Sequence, residues 1–125
     1  MELRAAGTAA TLWRLDVADS WLARLRGLIG RRDLATGEGL YLPGTNGVHM
    51  FFMRFAIDVV FVGAPRPDGA RRVIALKPNL RPWTGLVLYV RGARGAVEVP
   101  AGSLTGSGLR VGDDVILTPA AQTAA

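Results

Sequence analysis

Five residues have the types and setting to do chemistry: His49, Arg54, Asp58, Trp83 and Glu98. The first three lie in the run 48–62, which is otherwise almost wholly apolar. Glu98 repeats the situation of Asp58, because its own setting is Ala96-Val97-Glu98-Val99-Pro100. A carboxylate among core-forming side chains loses solvation and needs a partner. If the two carboxylates face one cavity, desolvation and mutual repulsion raise one pKa while a nearby arginine lowers the other, which separates acid from base as a hydrolase requires. His49 could then carry a proton beside them. The same residues also suit binding: the Arg54 fork can hold a carboxylate or phosphate with two hydrogen bonds, and Trp83 offers a flat face to a sugar ring.

Each residue has a plainer structural role to weigh against these. At the two-residue period of a strand, Asp58 shares a face with Val60 and Val62, so it must be at least half buried and paired. Arg54 falls on that face too, but four residues of unbroken strand span roughly 13 Å, too far for a direct ion pair. Asp58 then takes hydrogen bonds from backbone N–H groups of a neighbouring loop, and Glu98 pairs with an arginine. His49 becomes a packing residue, Arg54 stacks on Phe52 or Phe55, and Met50 and Met53 fill the core. No nucleophile stands out, because Ser103 and Ser107 lie in a glycine-rich stretch without the strand–turn–helix setting of a nucleophile elbow.

The elements that would position these residues are mostly short strands. Thr11 to Val17 alternates, Gly39 to Leu42 is closed by Pro43-Gly44, and Asn46-Gly47 is a tight-turn dipeptide leading into the central run, with its strand at 57–62. A hairpin connection at 63–69 returns as a strand over Val73 to Leu76, and further apolar runs follow at 86–90, 96–99 and 115–117. Pro78, Pro82 and the residues between them read as an exposed loop around Trp83. Asp19 or Ser20 as N-cap, apolar residues at helical spacing and Gly30 as a stop predict one helix near 20–29. The first seven residues read as a loose end, and 119–125 as a frayed tail. The expectation is a compact, predominantly β, α+β domain over 1–118, barrel- or sandwich-like, with that single short helix.

Composition narrows the function classes. At 125 residues the chain suits one domain with its own core. The absence of cysteine excludes disulfides, a thiol nucleophile and thiolate metal sites, and one histidine argues against a zinc site, so no metal or cofactor is expected. The net charge of +5 comes from fourteen Arg and one Lys against ten carboxylates. These arginines are scattered in small groups, not gathered in a basic tract interleaved with aromatics, which argues against nucleic acid. No window reaches the length of a membrane span and the amino terminus has no export signal, so a soluble cytoplasmic protein is the expectation.

Four blocks in order carry a family resemblance: Arg26-Gly27-Leu28-Ile29-Gly30-Arg31, the run Val48 to Val62, Val97-Glu98-Val99-Pro100-Ala101-Gly102, and Gly108-Leu109-Arg110-Val111-Gly112-Asp113. Their spacing resembles the DUF192 family of small bacterial and archaeal proteins, from about Ser20 to Leu117. The resemblance implies a β-rich α+β fold and no activity. Met50 stands where a small polar residue often follows the histidine, and Val97 and Val99 flank the glutamate where leucine is usual; both changes preserve burial.

The reading that combines these signals is a binding domain more than an enzyme. It would take a small polar or anionic ligand, such as a carbohydrate, or a protein partner, with His49, Arg54, Asp58, Trp83 and Glu98 around a shallow pocket formed by the central run, the Pro78 to Pro82 loop and Glu98. Two alternatives stand beside it. One is a hydrolase using Asp58 and Glu98 as acid and base, with their carboxyl groups roughly 5 to 10 Å apart. The other is a structural interaction subunit with an exposed apolar patch near residues 86–90.

Overall fold

The computed structural model describes residues 1–8, 10–18, 34–50 and 53–118, with the backbone but not the side chain of His49. The expected helix at 20–29 and the tail at 119–125 lie outside the described residues. Among those described, the strands are β1 (Glu2–Ala5), β2 (Thr11–Val17), β3 (Glu38–Pro43), β4 (Val48–His49), β5 (Ile57–Val62), β6 (Ala70–Leu80), β7 (Leu86–Val87), β8 (Gly95–Pro100) and β9 (Asp114–Thr118). Seven of them close into a barrel in the order β1-β2-β3-β8-β5-β6-β9, with β9 returning to β1. Neighbours are antiparallel except β2 and β3, which run parallel. β4 and β7 form a separate two-stranded sheet. No helix among the described residues is long and apolar enough to cross a membrane.

Closure depends on β1, where the sequence suggests a loose end. Glu2–Ala5 pairs with β2 on one side and β9 on the other, and Leu3 is fully buried. A four-residue segment is too short to display a two-residue period, and its burial is set by partners at positions 11–14 and 115–118. Joining the first and last strands removes both free sheet edges.

Two apolar clusters divide the faces of the barrel wall. One draws Leu3, Trp13, Tyr41, Val60, Val73, Val97 and Val115 from all seven barrel strands and is therefore the interior. The other sets Leu40, Ile57, Val59, Phe61 and Ala96 on the outer face against Val48, Met50, Met53, Val90 and Ala93. A layer of loops, residues 44–50, 53–56 and 81–94 around the β4–β7 sheet, thus covers the outside of β3, β8 and β5. Every residue of β5 is buried, since both of its faces are covered.

A bulge interrupts the β5–β6 pairing. Ile57 faces Leu80 and Val59 faces Lys77, so Pro78 and Asn79 together oppose Asp58. Asn79 takes a positive φ of 50° there, a conformation that asparagine tolerates better than most residues.

Candidate functional site

The two carboxylates do not converge. Asp58 pairs across β8 with Val99, and Glu98 pairs across β5 with Val59. Directly opposed residues project to the same face, so Asp58 points inward with Val99 and Glu98 points outward with Val59 and Leu40. The acid–base pair of the hydrolase alternative therefore has no common cleft.

Asp58 is 1% exposed and structurally engaged. One carboxylate oxygen accepts from Asn79 N–H at 2.8 Å and the other from Leu104 N–H at 2.9 Å. Asp58 thereby fastens the β6 bulge and the 101–108 turns to the end of the barrel. The backbone-bonded role weighed for it from sequence is the one it has.

Glu98 differs in kind. It is 8% exposed, lies beneath the loop layer, and its carboxyl makes no hydrogen bond or ion pair with the described residues. Burial alone pushes its pKa up from 4.5 to about 7. The arginine pairing considered for it is not made within the described residues, where the ion pairs all involve Arg66.

The remaining candidates lie in the loop layer. Met50, buried at 1%, organises it: its N–H donates to Gly85 O at 2.9 Å, and its carbonyl accepts from Trp83 N–H at 2.7 Å and Met53 N–H at 3.1 Å. Trp83 is 55% exposed with a φ of 66°. Such a backbone is a genuine outlier for a bulky side chain and concentrates at sites where surroundings impose it. Arg54 is exposed, next to buried Met53. The backbone of His49 pairs with Leu86. The structure thus brings His49, Arg54 and Trp83 into one layer above the face that carries Glu98, and leaves Asp58 on the other side of the barrel wall.

Leu86, Leu88 and Tyr89 join Trp83 in exposing large apolar surface, and the four make up most of the exposed large hydrophobics of the described residues. A shallow open groove runs beside them between residues 44–48 and 86–88. Its lining includes neither the 78–82 segment nor Glu98, where sequence reasoning placed the pocket. Gly47 is among the residues lining it, and a β-carbon there would come within 2.6 Å of the Leu88 carbonyl oxygen.

One buried polar assembly was missed from sequence. Arg71, 8% exposed, donates to Gly63 O at 2.7 Å, to Arg94 O at 3.1 Å and to the Tyr41 hydroxyl, with its guanidinium 5.5 Å from the centre of the Tyr41 ring. It sits opposite interior Val115 and closes the barrel at the far end of β5 from Asp58. Its parity with Val73 was the available signal.

The sequence matches the DUF192 family, described as uncharacterized ACR, over residues 1–117. It is 32% identical over 116 residues to a UPF0127 protein of Thermococcus sibiricus, a match spanning 86% of this chain and 70% of that protein. A crystal structure of a protein of unknown function from Novosphingobium aromaticivorans aligns with a TM-score of 0.73 at 22% identity, covering 93% of this chain and 84% of that one. A Sinorhizobium meliloti protein named as a candidate transcription regulator aligns with a TM-score of 0.75 at 19% identity, covering 91% and 88%. These two structures share the fold. The chain belongs to the DUF192 family.

Proposed function

We propose that the domain is a binding module that engages an anionic, partly apolar target through its loop layer. The observation that carries this reading is the gathering of exposed Trp83, Leu86, Leu88 and Tyr89 within seven residues. Surface hydrophobics scattered singly are ordinary, but a local concentration marks an interaction site. Charge adds the sign of the target. Exposed Arg54, Arg81, Arg91 and Arg94 belong to the same layer, and between Glu38 and Glu98 the only carboxylates are Asp58 and Asp68. Arginine forks favour phosphate and carboxylate groups. The strained backbone of Trp83 fits a side chain held outward for contact.

The test is retention of the purified domain on defined anionic probes, namely poly-glutamate, duplex DNA and anionic vesicles, at low and high salt. The expected outcome is salt-sensitive binding to at least one of them that Leu88→Asp abolishes without lowering the thermal midpoint. Failure to bind any of the three ends this reading.

A narrower version puts a small polar or anionic ligand near His49, Arg54, Trp83 and Glu98. It is favoured by one observation, a buried carboxyl with no partner among the described residues. A thermal-shift screen against sugars, nucleotides and small carboxylates tests it, because a ligand at a hundred times its Kd adds about 2.7 kcal/mol of stability. Loss of the shift in both Arg54→Ala and Glu98→Gln is the supporting result.

A further inference from the structure

Resting on the reading that the loop layer is the binding surface, we propose that its target is the surface of an anionic lipid bilayer. In this arrangement Trp83, Leu86, Leu88 and Tyr89 enter the headgroup region while Arg54, Arg81, Arg91 and Arg94 bond lipid phosphates.

Three features favour a bilayer over an acidic protein or a nucleic acid. The first is projection. Leu88 is 81% exposed and Tyr89 65%, in a stretch outside any strand. Protein-binding anchors are typically seated in well-packed surroundings, whereas a leucine standing this far into solvent suits a fluid phase that deforms around it. The second is composition. Trp and Tyr join an apolar body to a polar tip, which suits the membrane–water boundary, and leucines beside them add apolar depth. A nucleic-acid surface gives leucine nothing to enter.

The third feature is the placement of the arginines. Arg81 is fixed at the base of the tip by its carbonyl bond from Gly85 N–H at 2.9 Å. Arg54 follows Met53, whose N–H bonds the same Met50 carbonyl that holds Trp83. Arg91 lies within, and Arg94 just after, the turn in which Ala93 N–H donates to Val90 O; Val90 and Ala93 are buried while Arg91 and Arg94 are exposed, and the turn is tied to Asn46 by Val90 N–H, which donates to its carbonyl at 2.7 Å. Arg81 and Arg91 therefore bracket the apolar tip in sequence, and no charged residue interrupts it between 83 and 89. Their aliphatic stems can lie along the interface with the guanidinium groups at phosphate height.

The experiment is co-sedimentation of the full chain with phosphatidylcholine vesicles and with vesicles also containing phosphatidylglycerol, combined with tryptophan quenching by brominated acyl chains. Expected is partition onto the anionic vesicles only, weakened about fivefold by each of Arg81→Ser and Arg91→Ser and more than about tenfold by Leu88→Asp. Acyl-chain quenching should disappear in Trp83→Phe while that variant still sediments. Circular dichroism and thermal midpoints confirm that each variant is folded. Equal binding by wild type and Leu88→Asp, or quenching that survives Trp83→Phe, overturns the proposal. Binding to poly-glutamate or DNA without binding to vesicles also overturns it and leaves the loop layer as a binding surface for another target. Absence of binding to every probe removes both readings together.

Discussion

Asp58 and Glu98 stand one register step apart on neighbouring strands and project through opposite faces of the same barrel wall. Two-carboxylate hydrolysis needs both groups on one cleft, and the two-residue period of β5 and β8 forbids it. Each carboxylate answers to a separate environment: Asp58 to backbone donors inside the barrel, Glu98 to burial beneath the loops. Their contributions to stability are accordingly of different kinds.

Glu98 makes the fold less stable as pH rises. Its carboxyl keeps the proton up to about pH 7 when folded and releases it near 4.5 when unfolded. Between those values the native state binds more protons than the unfolded state, so stability falls with pH and levels off above the folded pKa. The full span corresponds to about 3 kcal/mol as an order of magnitude. Denaturant unfolding of wild type and Glu98→Gln across this window checks it, with the glutamine variant gaining relative to wild type as pH rises. A constant difference between the two proteins contradicts the burial account.

Asp58 works through acceptors, and Asp58→Asn replaces one with an amide that faces a backbone N–H. The expected loss is on the order of 3 kcal/mol in unfolding free energy. Hydrogen exchange supplies a specific readout: the Asn79 and Leu104 amides should lose protection beyond what the global destabilisation accounts for. Unchanged protection at both positions would show that the carboxylate does not hold them.

The strands were legible because alternation and turn residues agree. β2 alternates, and β3, β5, β8 and β9 are short apolar runs set off by Gly, Pro or Asp. What the chain could not show locally was pairing. Leu3 is buried by β9, more than a hundred residues later, and the parallel β2–β3 contact leaves no mark in either segment. The need of Asp58 for partners was evident, yet those partners are Asn79 and Leu104, 21 and 46 residues away. Exposure of the 86–90 run was weighed from its composition, whereas the role of Arg71 was hidden behind an apparently ordinary surface pair, Arg71-Arg72. Only its alignment with Val73 and Val115 places it inside.

Gly39 is required where β3 crosses closest to β8 and β2. A β-carbon there would lie 2.6 Å from the Glu98 carbonyl oxygen and 2.8 Å from Leu15 Cδ2. Backbone cannot yield as a flexible side chain can, so Gly39→Ala should cost about 1 to 3 kcal/mol. Urea denaturation measures this directly. Gly69→Ala is a useful contrast, since nothing lies within 4 Å of its added carbon and only its φ of 84° opposes the change. A cost for Gly39→Ala no larger than that of Gly69→Ala would refute the packing argument.

Arg71 and Tyr41 should prove energetically coupled. The guanidinium is buried with neutral acceptors alone: two backbone carbonyls and the Tyr41 hydroxyl, with the phenol ring beside it. Arg71→Met fills similar volume but leaves all three acceptors without this donor, which should cost about 3 kcal/mol. Tyr41→Phe keeps the ring and loses only the hydroxyl, at about 1 kcal/mol. If the two act through the bond between them, the double variant loses less than the sum by 0.5 kcal/mol or more, roughly the threshold at which contacting residues are distinguished from independent ones. Simple additivity would mean that Arg71 stabilises the barrel end through Gly63 and Arg94 alone.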